Sequence, residues 1–270
     1  MIKYLSITLL VFLCWGCQRE WRQKYEEVVA TSSPALFAVQ KNNLWGLVDE
    51  KGREVTPVKY EEVVVTFSPD LFAVKKNNLW GLVDKKGREV ASLKYDFLNT
   101  SPAEDTPYYD VSIGNLWGIL DAKGKEIVPV QYELILYSAG VFIAKKEGKV
   151  ALLDAHNKTL TPWYDGLNSF SHGLALTLWQ GKYGFINPEG KVCIPFMYER
   201  GIGFNKQGKA ILEYKGKWGM IDTQNNIVIP FEYSQTEPYN LDAEGSEDYY
   251  FLFLKDGKKR YINSNGKFIK

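Results

Sequence analysis

Histidine and cysteine are nearly missing from this chain, and so is any long apolar run after its first residues. Two histidines in 270 residues leave little from which to build a metal centre, because a typical zinc site takes three or four ligands. His156 lies in the turn Asp154–Ala155–His156–Asn157, and His172 precedes Gly173 in another loop. Both read as solvated loop residues without ligand spacing. Of the three cysteines, Cys14 and Cys17 fall near the start and Cys193 stands alone, so no disulfide framework is expected. Cys193 sits in the run Val192–Cys193–Ile194 and reads as a small core residue.

Excess charge is missing too. Lys and Arg number 33 against 32 Asp and Glu. Setting aside Lys3, the one charged residue among the first sixteen, leaves 32 of each. Nucleic acid, whose phosphates demand a basic excess, is therefore not an expected partner. No segment keeps a 3.6-residue apolar period, which argues against helices. A Gly-rich phosphate loop, a Ser elbow and a Cys pair are all lacking. The sequence offers no paired acid and base, so no enzyme activity, cofactor or metal is expected.

The first residues read as a leader. Lys3 gives a positive start, Tyr4 to Leu13 form a short apolar run, and Gly16 offers a small residue at a cut. The run is shorter than the roughly 20 residues of a membrane-spanning helix. The site resembles a lipoprotein box, although Cys14 and Trp15 stand where that pattern has Leu and a small residue. The resemblance implies a signal peptide over 1–16, lipidation of Cys17, a tether over 17–23 and a folded chain over 24–270. Membrane contact would then come only through the acylated N-terminus.

What the rest of the chain has is repetition. Leu36–Tyr60 returns as Leu71–Tyr95 with five of 25 positions changed. Fainter copies start at Leu116, Lys149, Lys182, Lys217 and Lys259. Aligned on the tryptophan, seven units centre on Trp45, Trp80, Trp117, Val150, Tyr183, Trp218 and Lys259, with steps of 35, 37, 33, 33, 35 and 41 residues. Such a period suits one supersecondary unit and is too short for an independent domain. Each unit offers an apolar run (Leu71–Val74), a polar turn (Lys76–Asn78), the signature run (Leu79–Asp84), a turn around Gly87 and a last run ending near Tyr95. Short β-branched and aromatic runs bounded by Gly and Asn predict about three antiparallel strands per unit. Pro57, Pro129, Pro162, Pro195 and Pro230 cannot donate to a ladder, so the last strand should be an edge or be bent there.

Trp-Gly, two aliphatics and Asp, then Gly with Lys or Arg, then a strand with Pro and Tyr: this unit resembles the bacterial WG-repeat family. The resemblance covers nearly all of 25–270 and implies a β-rich repeat protein, often exported, with no catalytic residues. Val150–Ala151, Tyr183 and Lys259–Arg260 depart from the signature. The expected fold is all-β, a tandem array of about seven antiparallel β-meander repeats of about 35 residues. One unit cannot bury its apolar face alone, so neighbours must stack. An open superhelical array is slightly favoured over a closed propeller-like ring, because such units are short for a four-stranded blade. The start Lys24–Val29 matches Lys59–Val64, which keeps closure of a ring in play.

Site candidates follow from what recurs and what does not. The signature pairs Trp45–Gly46, Trp80–Gly81, Trp117–Gly118, Tyr183–Gly184 and Trp218–Gly219 read as structural. Val150 in place of the tryptophan suits packing better than stacking on a ligand. Asp49, Asp84, Asp121, Asp154 and Asp222, with Asn187 and Asn263, follow the signature strand. Interchange with Asn fits a turn that bonds its own backbone. Recognition is expected where units differ. One insertion, 101–107, runs into Tyr108 and Tyr109. A longer one, about 234–248, holds Glu237, Asp242, Glu244, Glu247 and Asp248, a cluster suited to a basic partner or to weak calcium binding. Trp163, Tyr164, Phe170 and Trp179 form an aromatic group that could bind a glycan. The expected function is a non-catalytic protein-interaction scaffold at the bacterial cell envelope, with a glycan or cell-wall module as the alternative.

Overall fold

The computed structural model describes residues 20–33, 35–101, 107–239 and 250–269, without the side chains of 237–239 and 250–253. The insertion acids Asp242, Glu244, Glu247 and Asp248 lie outside the described residues, as does Cys17; Glu237 is described by its backbone alone. The chain divides after Ser101 into two compact units.

In the first unit a 3-10 turn (Glu20–Lys24) leads into the meander β1 (Glu27–Ala30), β2 (Leu36–Lys41), β3 (Leu44–Asp49) and β4 (Glu54–Tyr60). A second meander follows, made of β5 (Glu62–Val65), β6 (Leu71–Lys76), β7 (Leu79–Asp84) and β8 (Glu89–Tyr95), before the two-residue β9 (Phe97–Leu98). The second unit continues with β10 (Tyr108–Ile113), β11 (Leu116–Asp121) and β12 (Glu126–Tyr132). A fourth sheet is β13 (Leu134–Ser138), β14 (Val141–Lys146) and β15 (Lys149–Leu153). The fifth is β16 (Gly166–Leu167), β17 (Ala175–Trp179), β18 (Lys182–Ile186) and β19 (Val192–Tyr198). The sixth is β20 (Arg200–Ile202), β21 (Lys209–Tyr214), β22 (Lys217–Asp222) and β23 (Ile227–Tyr233). The seventh is β24 (Gln235–Tyr239), β25 (Tyr250–Lys255) and β26 (Lys258–Ile262). The fold is the expected all-β array of antiparallel meander repeats, one sheet per period.

The expected three strands per unit become four in most sheets. The strand that was missed starts just after the tyrosine. The chain leaves one sheet at Tyr60, turns at Glu61 and enters the next as β5. In sequence, Val-Lys-Tyr-Glu-Glu-Val-Val reads as one continuous run, so the corner is hidden.

The signature glycine has a steric cause. Between Trp45↔Tyr60 and Leu47↔Thr56 the register slips, with extra residues bulging out of β4 around Pro57. The same slip recurs in β7–β8, β11–β12, β18–β19 and β22–β23. The bulge lays the last strand across the glycine. A Cβ on Gly46 would stand 2.9 Å from the Pro57 carbonyl oxygen, and one on Gly81, Gly118, Gly184 or Gly219 would stand 2.7 Å from the carbonyl oxygen one residue earlier in its own last strand, that of Ala91, Val128, Ile194 or Ile229. Real side chains do not tolerate such contacts. Proline therefore sits where expected, on an edge strand and at its bend. Where Ala151 replaces the glycine, the last strand shrinks to the bridges Val150↔Tyr164 and Leu153↔Thr159.

The cores lie in the seams between consecutive sheets of each unit. Leu36, Leu47 and Tyr60 of the first sheet pack against Phe72, Val74 and Val83 of the second. Within the second unit the seams are filled by Ile119, Tyr132, Phe142 and Leu153, then by Leu152, Tyr164, Ala175 and Ile186, then by Phe185, Tyr198, Leu212 and Ile221. Burying one such side chain stabilises the fold by about 1.5–3 kcal/mol, so stacking of neighbours carries the array. The flank of the first sheet is covered by Trp21, which packs on Val39 and Val48 and donates from Nε1 to the Glu50 carbonyl at 3.3 Å. Part of the stretch assigned as a tether is thus docked on the first sheet.

Gly81→Ala should destabilise the protein by about 1–3 kcal/mol through overpacking. Ala151→Gly, where the strand has already moved off, should change stability by less than about 1 kcal/mol. Urea midpoints measure both. Equal midpoints for Gly81→Ala and the parent would remove close approach as the reason for the Trp-Gly pair.

Candidate binding rim

Three sets of polar groups recur along the array, and the structure assigns two of them to local architecture. The first is the residue after the signature strand. Asp49 Oδ1 accepts from the backbone N–H of Lys51 at 2.8 Å and of Arg53 at 2.9 Å. Asp84, Asp121, Asp154 and Asp222 do the same for their own turns, and Asn263 does so as an amide. Asn187 accepts from Lys191 N–H at 2.8 Å. These are the turn bonds expected from the Asp–Asn interchange. Bonds from Arg53 N–H hold the Asp49 carboxyl below its usual range. Bonds from the Lys158 and His156 amides do so at Asp154. At Asp84 and Asp222 burial pushes upward, yet the side-chain and backbone donors around them win and the net direction is down.

The second set is an acid that follows the tyrosine at every corner but the last, where Ser234 follows Tyr233. Glu26 accepts from Asn42 N–H at 3.0 Å and Glu61 from Asn77 N–H at 2.7 Å. Glu133 accepts from Gly148 N–H at 3.2 Å and Asp165 from Gln180 N–H at 2.8 Å. Each acid thus caps the hairpin turn of the next sheet. Those turns have consecutive residues at positive φ, such as Asn42 at 53° and Asn43 at 61°, as type I′ hairpins require. The sequence reading missed this role. Its signal was present as the dipeptide Tyr-Glu or Tyr-Asp at 25–26, 60–61, 95–96, 132–133, 164–165 and 198–199.

The third set lies at the hairpin tips themselves, where units differ. In the second compact unit the last residue of the second strand faces the first residue of the third. These pairs are Ile113↔Leu116 in the third sheet, then Lys146↔Lys149, Trp179↔Lys182, Tyr214↔Lys217 and Lys255↔Lys258. In the first unit the same positions hold Lys41↔Leu44 and Lys76↔Leu79. The tips of the fourth to seventh sheets so form one rim, rich in lysine with two aromatic rings at its centre.

Of the expected binding residues, the structure brings only some to this rim. Trp179 is there and 37% exposed. Tyr164 lies beneath it and is buried, and Trp163 packs on the core beside Tyr132. Tyr109 is fully buried and Tyr108 meets Tyr137 and Phe142 with ring centroids 5.1 Å apart in both pairs. Tyr109 and Tyr164 therefore belong to the core and not to a binding surface. Their neighbours in sequence look polar, but alternation along β10 turns Tyr109 inward. Cys193 corrects in the other direction. It is exposed, because its run is the edge strand β19, whose first two residues face outward. His156 and His172 are exposed, as expected. The signature tryptophans share the seams: Trp218 is buried, Trp45 and Trp117 pack half-buried against their seams, and Lys75 covers Trp80 with its Nζ 5.3 Å from the ring. Among the described residues no helix is long and apolar enough to cross a membrane.

This geometry defines a tandem β-meander repeat protein. The chain belongs to the WG-containing repeat family, whose model matches residues 45–80, 80–117, 117–149, 183–218 and 218–258. No curated protein matches it. Among solved structures it is similar to a eukaryotic initiation factor (13% identity, 91% of this chain and 76% of that one, TM-score 0.38). It is also similar to Hsv2 of Kluyveromyces lactis (10%, 75% and 72%, 0.38) and to AztD of Citrobacter koseri (13%, 90% and 84%, 0.35). At such TM-scores these likenesses carry nothing over to this chain.

Because the turn aspartates have lowered native pKa values, their stabilisation is complete above the unfolded carboxylate pKa and is lost as pH falls through the native one. Stability should therefore be flat near neutrality and fall below roughly pH 4. Asp84→Asn keeps the acceptor and should flatten part of that slope, whereas Asp84→Ala should cost roughly 1–3 kcal/mol at neutral pH. Thermal melts from pH 7 to pH 3 read both. An Asn variant with the parent's full acid slope would show that ionisation at this turn is not what stabilises it.

Proposed function

We propose that this WG-repeat protein is a non-catalytic binding scaffold of the bacterial cell envelope. Its leader exports it, and acyl chains on Cys17 hold it to a membrane. One observation carries the scaffold reading. The acids that recur are each engaged in a turn or a corner of the array, which leaves recognition to the residues that vary. The leader pattern and the Cys17 box support export and anchoring. Two acyl chains suffice for stable attachment, each buried CH₂ contributing about 0.8 kcal/mol. The array then needs no lipid-binding face of its own.

A protein is the proposed partner, and the acidic insertion near 234–248 fits a basic surface on it. Steering by such a cluster acts mainly on association rate and fades with salt. The test is a pull-down from solubilised envelope, with the parent and a variant lacking 240–248 as baits, which keeps β24 (Gln235–Tyr239) in place. A partner captured by the parent and lost by the variant supports the scaffold. Mass spectrometry of the membrane-bound chain reports acylation at Cys17, and an unmodified Cys17 on a released chain overturns the anchor. Turnover of any substrate, abolished by one carboxylate substitution, overturns the non-catalytic reading.

A further inference from the structure

The centre of the rim has more order than a solvated surface needs. Trp179 ends β17 and is met edge-on by two rings, Phe196 at 5.4 Å and Tyr164 at 5.9 Å, with interplanar angles of 72° and 83°. One repeat later Tyr214 ends β21 and is met by Phe231 at 5.9 Å and Tyr198 at 6.1 Å, with angles of 72° and 66°. The two triads use equivalent positions of adjacent sheets, and those sheets share the seam of Leu176, Phe185, Tyr198 and Leu212. They are therefore two platforms of one design at a fixed spacing.

Packing alone does not call for rings at these positions. Lys41, Lys76, Lys146 and Lys255 occupy them in other sheets, and Ile113 in the third. Aromatic side chains here are additions to a rim that folds with lysine.

The charge around the platforms has a sign. Lys149 pairs with Asp165, Lys182 with Glu199 at 2.9 Å, Lys255 with Glu232 at 2.7 Å and Arg200 with Glu213 at 2.6 Å. Among the described residues of these four tips, Lys146, Lys215, Lys217 and Lys258 are in no ion pair, against the two acids Glu147 and Asp256. Lys215 instead lies over Tyr214, with its Nζ 5.2 Å from the ring. The uncompensated charge is positive and interleaved with the rings.

We propose that the hairpin tips of the fifth and sixth sheets bind a carboxylated sugar polymer. Trp179 and Tyr214 take the flat C–H faces of two pyranose rings, and Lys146, Lys215, Lys217 and Lys258 meet the carboxylates. Two platforms one repeat apart favour a polymer over a single sugar, since a second contact on one chain is intramolecular and multiplies affinity. The site lies apart from the acidic insertion and stands whether or not a protein partner exists.

The experiment is affinity electrophoresis of the full-length protein in native gels containing polygalacturonate, solubilised peptidoglycan strands, neutral laminarin or poly-glutamate. Polygalacturonate or the peptidoglycan strands should retard the parent more than laminarin or poly-glutamate does. Trp179→Lys and Tyr214→Lys should each weaken retention about tenfold, the scale of one lost stacking contact. Trp179→Lys should lower the melting temperature slightly and Tyr214→Lys somewhat more, because Tyr214 also packs on the seam; retention is therefore compared well below both melting temperatures, where the variants are folded. A lysine also adds positive charge, so a simple polyanion binder would bind more tightly after either change. Tighter binding by the variants overturns the proposal, as does equal retention by poly-glutamate or by laminarin. No retention in polygalacturonate or in solubilised peptidoglycan strands overturns it too. Retention in either of those two gels, lost with Trp179→Lys, supports it and tells whether the carboxylate stands on the sugar ring or on a side branch.

Discussion

In the five sheets that keep the signature glycine, the last strand crosses directly over the backbone of the signature strand, and the approach is possible only above a residue without a side chain. The oxygen that would meet a Cβ belongs to the bulge at the proline or its neighbour. From this contact the rest of the unit follows. The bulge turns the final tyrosine back toward the seam, where Tyr60, Tyr95, Tyr132, Tyr164, Tyr198 and Tyr233 are all buried. The buried ring fixes the point at which the chain leaves one sheet, and the next residue starts the corner into its neighbour. Burial pushes the phenols of Tyr60, Tyr132, Tyr164, Tyr198 and Tyr233 upward. Two of them still satisfy their hydroxyls across a seam, Tyr132 on Asn157 and Tyr198 on Asn225, both at 2.8 Å.

Successive sheets are coupled by these same residues. The tyrosine of one sheet reaches the turn of the next, and the acid beside it caps the next hairpin. A polar group that bonds backbone in this way satisfies donors that burial would otherwise strand. Recurrence of acids along the chain thus measures architectural demand. Trp21 belongs to the same logic. The turn glycine of the second sheet, Gly87, abuts the Val55 backbone of the sheet before it, and Gly52 of the first sheet abuts the Trp21 side chain instead. One indole replaces a neighbouring strand at that flank.

Much of this was legible in the sequence, and what escaped did so for physical reasons. The period, the all-β class, the turn role of Asp49 and its equivalents and the edge position of the prolines could be read, because each depends on a few adjacent residues. The first strand of each sheet was hidden, because the corner at Glu61 interrupts no hydrophobic pattern. Only the capped hairpin sixteen residues downstream explains that acid. Tyr109 and Cys193 exchanged places with expectation for a common reason. A residue's face is set by strand alternation and by whether the strand is an edge, and neither follows from the polarity of its neighbours. Trp21 escaped because its partner, Gly52, is a turn residue whose open side is visible only in the fold.

The two compact units show how constraint and freedom divide. The first two sheets are near copies, and their hairpin tips carry the same Lys-Asn-Asn-Leu. In the second unit the seam positions still hold Tyr, Gly and aliphatic residues, while the tips diverge, to isoleucine in the third sheet and to lysine, tryptophan and tyrosine in the later ones. Divergence confined to positions that packing leaves open shows where the array can change without refolding. A ring there exposes apolar surface to water, a cost near 25 cal/mol per Å² that lysine avoids. Tryptophan and tyrosine at consecutive tips gain edge-on ring contacts worth about 0.5–1.5 kcal/mol each, and Tyr214 also packs on the seam, but the part of Trp179 left exposed still meets water. A ligand that covered this surface would remove the remaining cost, which is why the proposed site lies on the rim and not on the repeated acids or the signature tryptophans.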